Sequence, residues 1–238
     1  MSTLVLRLAA PLQSWGSASK FDIRRTHTEP TKSGVIGLLM AALGCPRDDD
    51  KTIHLLDSKL HMGIRVDRPG TIVKDFHTVH PAKGAGYVTY RQYLSDAVFL
   101  VGLESEDEKL IKRLEKALNQ PAHPLALGRR ACPPTLPLVL GVKNTDLEKT
   151  LRSEACQDTL WRRTSRDKVA RLFVECSKAP HDAVARQVQG ARPISFNPEH
   201  REYDSYMLKD LGNVVFSQIK MGNHDPFAEM ALEDGGEE

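Results

Sequence analysis

The chain has 238 residues, 40% of them hydrophobic and 27% charged, with a formal charge of +2; this balance fits one large folded domain or two small ones and excludes a disordered polyelectrolyte. No run of about 18 apolar residues is present to span a membrane, and the opening residues read as a strand, not a signal peptide. The four cysteines (Cys45, Cys132, Cys156, Cys176) form no CxxC pair, so neither a zinc site nor a disulfide framework is indicated; no metal and no cofactor are expected, and reduced thiols in the cytoplasm are.

Residues 3–10, TLVLRLAA, predict a buried strand closed by Pro11. The next twenty or so residues, through Pro30, are too many for a plain connection, which marks Gln13, Ser14, Trp15 and Arg24 as members of a candidate functional loop. A helix follows, capped by Thr31 or Ser33 and ended by Gly44. Its apolar residues Val35, Ile36, Leu38, Leu39, Met40 and Leu43 wrap most of the circumference, so it must be covered on several faces. A helix N-terminus carries unpaired amides and partial positive charge. With Lys32 adding a full charge and Ser33 and Gly34 allowing close approach, this one predicts a phosphate seat. The GxxxxGK[ST] pattern is absent, so no nucleotide hydrolysis is inferred.

Residues 59–67 and 71–79 predict a hairpin around Arg68-Pro69-Gly70, and 93–103 a further strand. The stretch 75–93, a projection of about 76–93, holds Lys83 and Arg91, the rings of Tyr87, Tyr90 and Tyr93, and His77 and His80. Cations interleaved with aromatics on a glycine-containing projection suit an RNA backbone with unstacked bases. His77 and His80 also leave open a general acid and base for RNA cleavage. Ser105 and Glu108 predict a capping box for a helix with the stripe Leu110, Ile111, Leu114, Ala117 and Leu118, stopped by Pro121. In LALGRRACPPTLP (125–137), Gly128 turns the chain and Arg129 and Arg130 form a candidate phosphate clamp. A strand at 135–142 completes a β-α-β-β-(insert)-β-α-β order, close to the split βαβ pattern of α+β, ferredoxin-like type. The domains expected are a core at 1–145, a small β-rich region at 146–222 carrying the basic cluster 161–171, and a solvated, mobile tail at 223–238. The last fourteen residues hold six acids and no Lys or Arg; without them 33 basic residues face 25 acidic ones, so the body is basic and suits an anionic partner.

LVLRLAAPLQSWG, TEPTKSGVIGLLMAALGCPRDD, DFHTV, YRQYLSDAVFLVGL and LGRRACPPTLPL occur in this order over residues 4–140. In combination they resemble the Cas-five family of type I-E CRISPR Cascade complexes. The resemblance implies a RAMP protein with an RRM-related core and a hairpin thumb. It implies a non-catalytic subunit that holds the 5′ handle of the CRISPR RNA and caps the complex backbone in antiviral defence. The implied neighbours are the backbone subunit CasC, the large subunit CasA and, nearby, target DNA. The handle contacts implied are Gln13, Ser14 and Trp15, the Lys32–Ser33–Gly34 helix start and the Arg129–Arg130 loop. Some type I-C relatives cleave the repeat themselves, so a metal-independent endoribonuclease is the alternative. A typical RRM stacks bases on aromatics of its central strands. Residues 3–10 contain none, so recognition is expected from loops, helix starts and the thumb.

Overall fold

The unbroken apolar run at the start of the chain becomes strand β1 (Ser2–Ala9), an interior strand of a seven-stranded sheet in which every neighbouring pair is antiparallel. This computed structural model describes residues 1–16, 23–82, 84–159, 167–176 and 185–217. Lys83, most of the 161–171 basic cluster and the 223–238 tail lie outside the described residues. The sheet order is β10 (Val139–Lys143), β1, β9 (Val98–Ser105), β6 (His61–Arg68), β11 (Lys168–Cys176), β13 (Glu202–Phe216) and β12 (Ala185–Ser195). The first four come from residues before 145, and the last three extend the same sheet. Leu4, Leu6 and Leu8 face a core formed with helices α1 (Lys32–Leu43), α2 (Asp50–Lys59) and α3 (Glu108–Asn119). On the other face Val5 and Leu100 pack against Leu147 and Leu151 of α4 (Leu147–Ser153). Alternate side chains of one strand thus enter two cores, as the two-residue period of a strand requires.

Helix α1 ends where its sequence says. The Gly34 amide donates to the Thr31 Oγ1 at 3.2 Å, and Gly44 closes the helix in the left-handed region at φ 73°. Eight of its residues are buried, as its all-round apolar character requires. Helix α3 starts two residues later than the predicted capping box: Asp107 is the cap, accepting from the Leu110 amide at 3.0 Å, while Ser105 Oγ accepts from the Asp107 amide at 3.2 Å.

The predicted hairpin around Pro69-Gly70 does not form. Strand β6 is buried on both faces and takes β9 and β11 as its neighbours. At Gly70 the chain leaves the sheet, squeezed so closely against Leu94 and Ser95 that a Cβ there would meet Leu94 Cγ at 2.6 Å and the Ser95 carbonyl at 2.7 Å. Strand β7 (Thr71–Val79) pairs instead with β8 (Tyr87–Ser95) along its whole length. The expected single strand at 93–103 is broken at Asp96, which turns with φ 57° between β8 and β9.

Two buried ionic clusters tie later segments of the chain to β6. Arg65 on β6 is fully buried; it donates to both oxygens of Asp67 and to the carbonyls of Leu151, Glu154 and Ala155. Asp158 holds Arg68 on β6 and, at 3.0 Å, Lys168 on β11. Burial alone would raise the Asp158 carboxyl, but hydrogen bonds from Arg68 and Lys168 outweigh it and hold the group at about 2. A depressed carboxylate stabilises the fold above its ordinary range and stops doing so as pH falls from about 4 toward 2. Asp158→Asn is therefore expected to lose on the order of 2 kcal/mol at pH 7 and to converge with the parent near pH 2. Urea melts across that pH range check this; a deficit that does not shrink on acidification would contradict it.

Candidate nucleic-acid interface

Beyond Gly70 the chain builds a second, smaller sheet, and the residues singled out from sequence gather around it. Strand β8 is central: β7 runs along one edge, and β2 (Leu12–Gln13) and β4 (Ile23–Arg24) lie along the other. Gln13 registers with Leu94, and Arg24 with Arg91. A short pair, β3 (Trp15–Gly16) and β5 (Thr26–His27), closes the loop beside α1.

Gln13, Ser14 and Trp15 are interior posts of this region, each less than 5% exposed. Gln13 Nε2 donates to the Ala97 carbonyl at 2.7 Å, and Trp15 Nε1 donates to Gln13 Oε1 at 3.1 Å. The Trp15 amide donates to Thr26 Oγ1 at 2.8 Å. The Trp15 ring lies against Gly34, where a Cβ would sit 2.8 Å from Cε3. The close approach that Gly34 permits is thus filled by an indole from the same chain. The Ser14 amide donates to the Leu127 carbonyl at 3.0 Å, and Gly128 packs on Ser14 with φ 92°; a Cβ there would fall 1.6 Å from the Ser14 carbonyl.

The predicted phosphate seat at the α1 start is not open. Lys32 is 3% exposed, and its ammonium lies 3.0 Å from Asp57 Oδ1 and 2.7 Å from Glu175 Oε1 while donating to the Asp57 carbonyl at 2.9 Å. Ser33 is buried, 3.3 Å from Thr31 Oγ1. Two carboxylates satisfy the cation from within, so Lys32 presents no charge to an outside phosphate. Asp57 also takes Arg192 of β12 at 2.7 Å, so the cluster joins α1, α2, β11 and β12.

Arg129 and Arg130 divide the work expected of both. Arg129 Nη1 donates to the Gln92 carbonyl at 2.7 Å, Nη2 donates to the Arg24 carbonyl at 3.0 Å, and Cζ stands 4.6 Å from the centre of the Tyr93 ring. It knots the loop to β4 and β8. Arg130 is exposed. Beneath them burial pushes the Cys132 thiol up, so it stays protonated at neutral pH.

On the β7–β8 ribbon, Lys74 Nζ lies 4.3 Å from the Tyr90 ring centre and 5.6 Å from that of Phe76, and the two rings meet edge to face at 5.2 Å. Phe76 is 66% and Tyr87 50% exposed. His77 is exposed and faces Thr89 across the strands. Arg91 lies across from Asp75, its Nε buried without a hydrogen bond. Among the described residues, no hydrogen bond joins the His77 or His80 ring to a carboxylate, and no cluster of His, Cys, Asp or Glu fits a metal ion. Arg24, Arg91, Arg129, Arg130, Tyr87, Tyr90 and His77 are thus gathered on one ribbon and its base; Gln13, Ser14 and Trp15 support that base from below, and Lys32 and Ser33 are withdrawn from it. Lys74 and Phe76 escaped the sequence reading. Their signal was the two-residue spacing that puts 74 and 76 on one face, opposite Gln92 and Tyr90.

A family model described as CRISPR-associated protein (Cas_Cas5) matches residues 3–206. The chain belongs to the Cas5 family. It is 37% identical over 169 residues to the CRISPR system Cascade subunit CasD of Escherichia coli (strain K12), covering 63% of this chain and 75% of that one. Solved structures are also similar to it. One, described as a CRISPR RNA-guided surveillance complex, has 29% identity and a TM-score of 0.69 over 90% of this chain and 91% of that one. Another, described as a Cas protein, has 34% identity and a TM-score of 0.60 over 89% and 94%. The resemblance borne by residues 4–140 therefore extends through β11–β13, most of which the Cas5 match includes. No helix among the described residues is long and apolar enough to cross a membrane.

Proposed function

We propose that this Cas5-family protein is the non-catalytic subunit of a type I-E Cascade complex that grips the 5′ handle of the CRISPR RNA and caps one end of the backbone. The likeness to CasD and to a surveillance-complex chain supports the assembly. One observation carries the RNA reading: the segments 12–16, 23–24 and 127–132 converge with β8 at the base of the β7–β8 ribbon, where Arg24 and Arg130 are exposed, while the exposed rings Phe76 and Tyr87 lie along the ribbon itself. The ribbon is the thumb, inserted in a 1–145 core whose order β10-β1-β9-β6 is that of a ferredoxin-like sheet; 146–222 is the β-rich region beside it. CasC and CasA are the neighbouring subunits, target DNA passes nearby, and the complex works in the cytoplasm. Arg24, Arg91 and Arg130 neutralise phosphates, while Tyr87, Tyr90 and Phe76 offer stacking surface worth about 1–3 kcal/mol per base. His77 stands with them on the thumb, and Lys83 adds a further cation by its place in the sequence; Gln13, Ser14, Trp15, Gly34 and Arg129 shape the base.

Arg130→Ala is expected to weaken binding of an eight-nucleotide handle RNA several-fold without lowering Tm, and to reduce the slope of log K against log salt by about 0.7, one phosphate's share on a single strand. Arg129→Ala weakens binding and also lowers Tm, because it unties the loop. Fluorescence anisotropy over a salt series reads both; an unchanged slope for Arg130→Ala contradicts the contact. Labelled repeat RNA incubated with the protein in EDTA stays intact; discrete cuts that vanish with His77→Ala or His80→Ala would establish the endoribonuclease instead.

A further inference from the structure

The acidic C-terminal segment has no part in the function above, yet its composition mirrors the surface that function uses. Residues 225–238, DPFAEMALEDGGEE, place Phe227, Met230 and Leu232 among six carboxylates with no Lys or Arg. The thumb presents the complement. Lys74, Arg24 and Arg130 are exposed and Arg91 is half-buried, beside the exposed apolar side chains Ile72, Val73, Phe76, Tyr87 and Val88. An acidic and apolar segment fits a basic and apolar face.

The segment also starts in the right place. Phe216, at the end of β13, pairs with Lys168; Lys168 binds Asp158, Asp158 binds Arg68, and Arg68 Nη1 donates at 3.4 Å to the carbonyl of Asp96, the corner from which β8 descends. The chain therefore leaves the described fold at the end of the sheet that carries the thumb. It runs on for 21 residues after Ser217, a reach of up to about 70 Å when extended. The nine residues of β7 span about 30 Å, so the whole thumb lies within range.

We propose that residues 225–238 bind the thumb and its base within the same molecule when RNA is absent, as an internal mimic of the polyanion, and that the handle displaces them. This rests on the RNA-binding reading above. The carboxylates neutralise the arginines and Lys74, and Phe227, Met230 and Leu232 cover the exposed rings and aliphatic side chains. The device keeps a basic, apolar surface from capturing unrelated nucleic acid before assembly. It is relieved by a ligand of higher charge density.

The test uses the full-length protein with p-benzoylphenylalanine in place of Phe227, photolysed with and without an eight-nucleotide single-stranded RNA. Cross-links within one molecule to residues 23–24, 71–95 or 128–131, lost when RNA is added, are expected. A second variant, Phe227→Ser with Met230→Ser and Leu232→Ser, keeps every charge; it is expected to bind the RNA about threefold more tightly at low salt. Long-range charge repulsion without docking would leave that affinity unchanged. RNA binding accompanied by cross-links elsewhere, by cross-links only between molecules, or by unchanged affinity of the triple-Ser variant overturns the proposal and leaves the RNA reading standing. Failure of the parent and both variants to bind RNA defeats that reading, and the proposal with it.

Discussion

Arg65→Met is expected to lower stability by about 3–5 kcal/mol, read as a fall in the urea midpoint with an unchanged slope. The side chain sits on β6 with no solvent exposure and gives its donors to Asp67, to the Leu151 carbonyl in α4 and to the Glu154 and Ala155 carbonyls just after it. Met fills much of the volume but donates nothing. The Asp67 carboxylate, itself wholly buried, would keep only the Gln157 amide at 2.6 Å, and a buried charge without its counter-ion is among the most destabilising changes a core can suffer. Arg65→Met combined with Asp67→Leu should recover part of the loss, because the stranded charge is gone; the three carbonyls still lack their donor. The exposed pair Arg171–Asp210 is the comparison: Arg171→Met should change stability by less than about 1 kcal/mol. A similar small effect at Arg65 would mean that the 147–157 segment is not held to β6 in this way.

Gly128→Ala is expected to cost about tenfold or more in affinity for the handle RNA together with a lower Tm. Two penalties coincide. The backbone has φ 92°, where an L side chain is strained by about 1–3 kcal/mol, and the added methyl would overlap the Ser14 carbonyl at 1.6 Å. The overlap can be relieved only by parting the 127–132 loop from the 13–15 segment. That breaks the Ser14-to-Leu127 hydrogen bond and carries Arg129 away from the carbonyls of Gln92 and Arg24. Gly141→Ala separates the two penalties: its φ is 108°, but nothing lies within 4 Å of the new Cβ. It sits on edge strand β10, away from the thumb, so it should lower Tm modestly and leave RNA affinity alone. Equal affinity losses at the two positions would show that strain, not the joint between loops, is being read.

Local signals carried part of this architecture and long-range contacts decided the rest. The caps Thr31 and Gly44 and the all-round apolar character of α1 were legible because a helix end and its burial are written in adjacent residues. The composition of the β7–β8 ribbon was legible for the same reason. Its pairing was not. Nothing near β6 announces that its second partner is β11, some hundred residues on, and only that pairing frees β7 to join β8. Lys32 is turned inward because Asp57 and Glu175, 25 and 143 positions away, deliver their carboxylates to it. Gly34 permits a close approach, and the group that fills it is the Trp15 ring. The Arg129–Arg130 pair looks uniform in sequence; the structure separates a tie from an exposed charge.

The most direct measurement places 4-thiouridine at successive positions of the 5′ handle in the assembled complex, irradiates it, and maps the attached residues of this chain. Attachment within 23–24, on the ribbon 74–91 and around Arg130 is the expected result. Attachment confined to other subunits, or to the outer faces of α2 and α3 on this one, would contradict it.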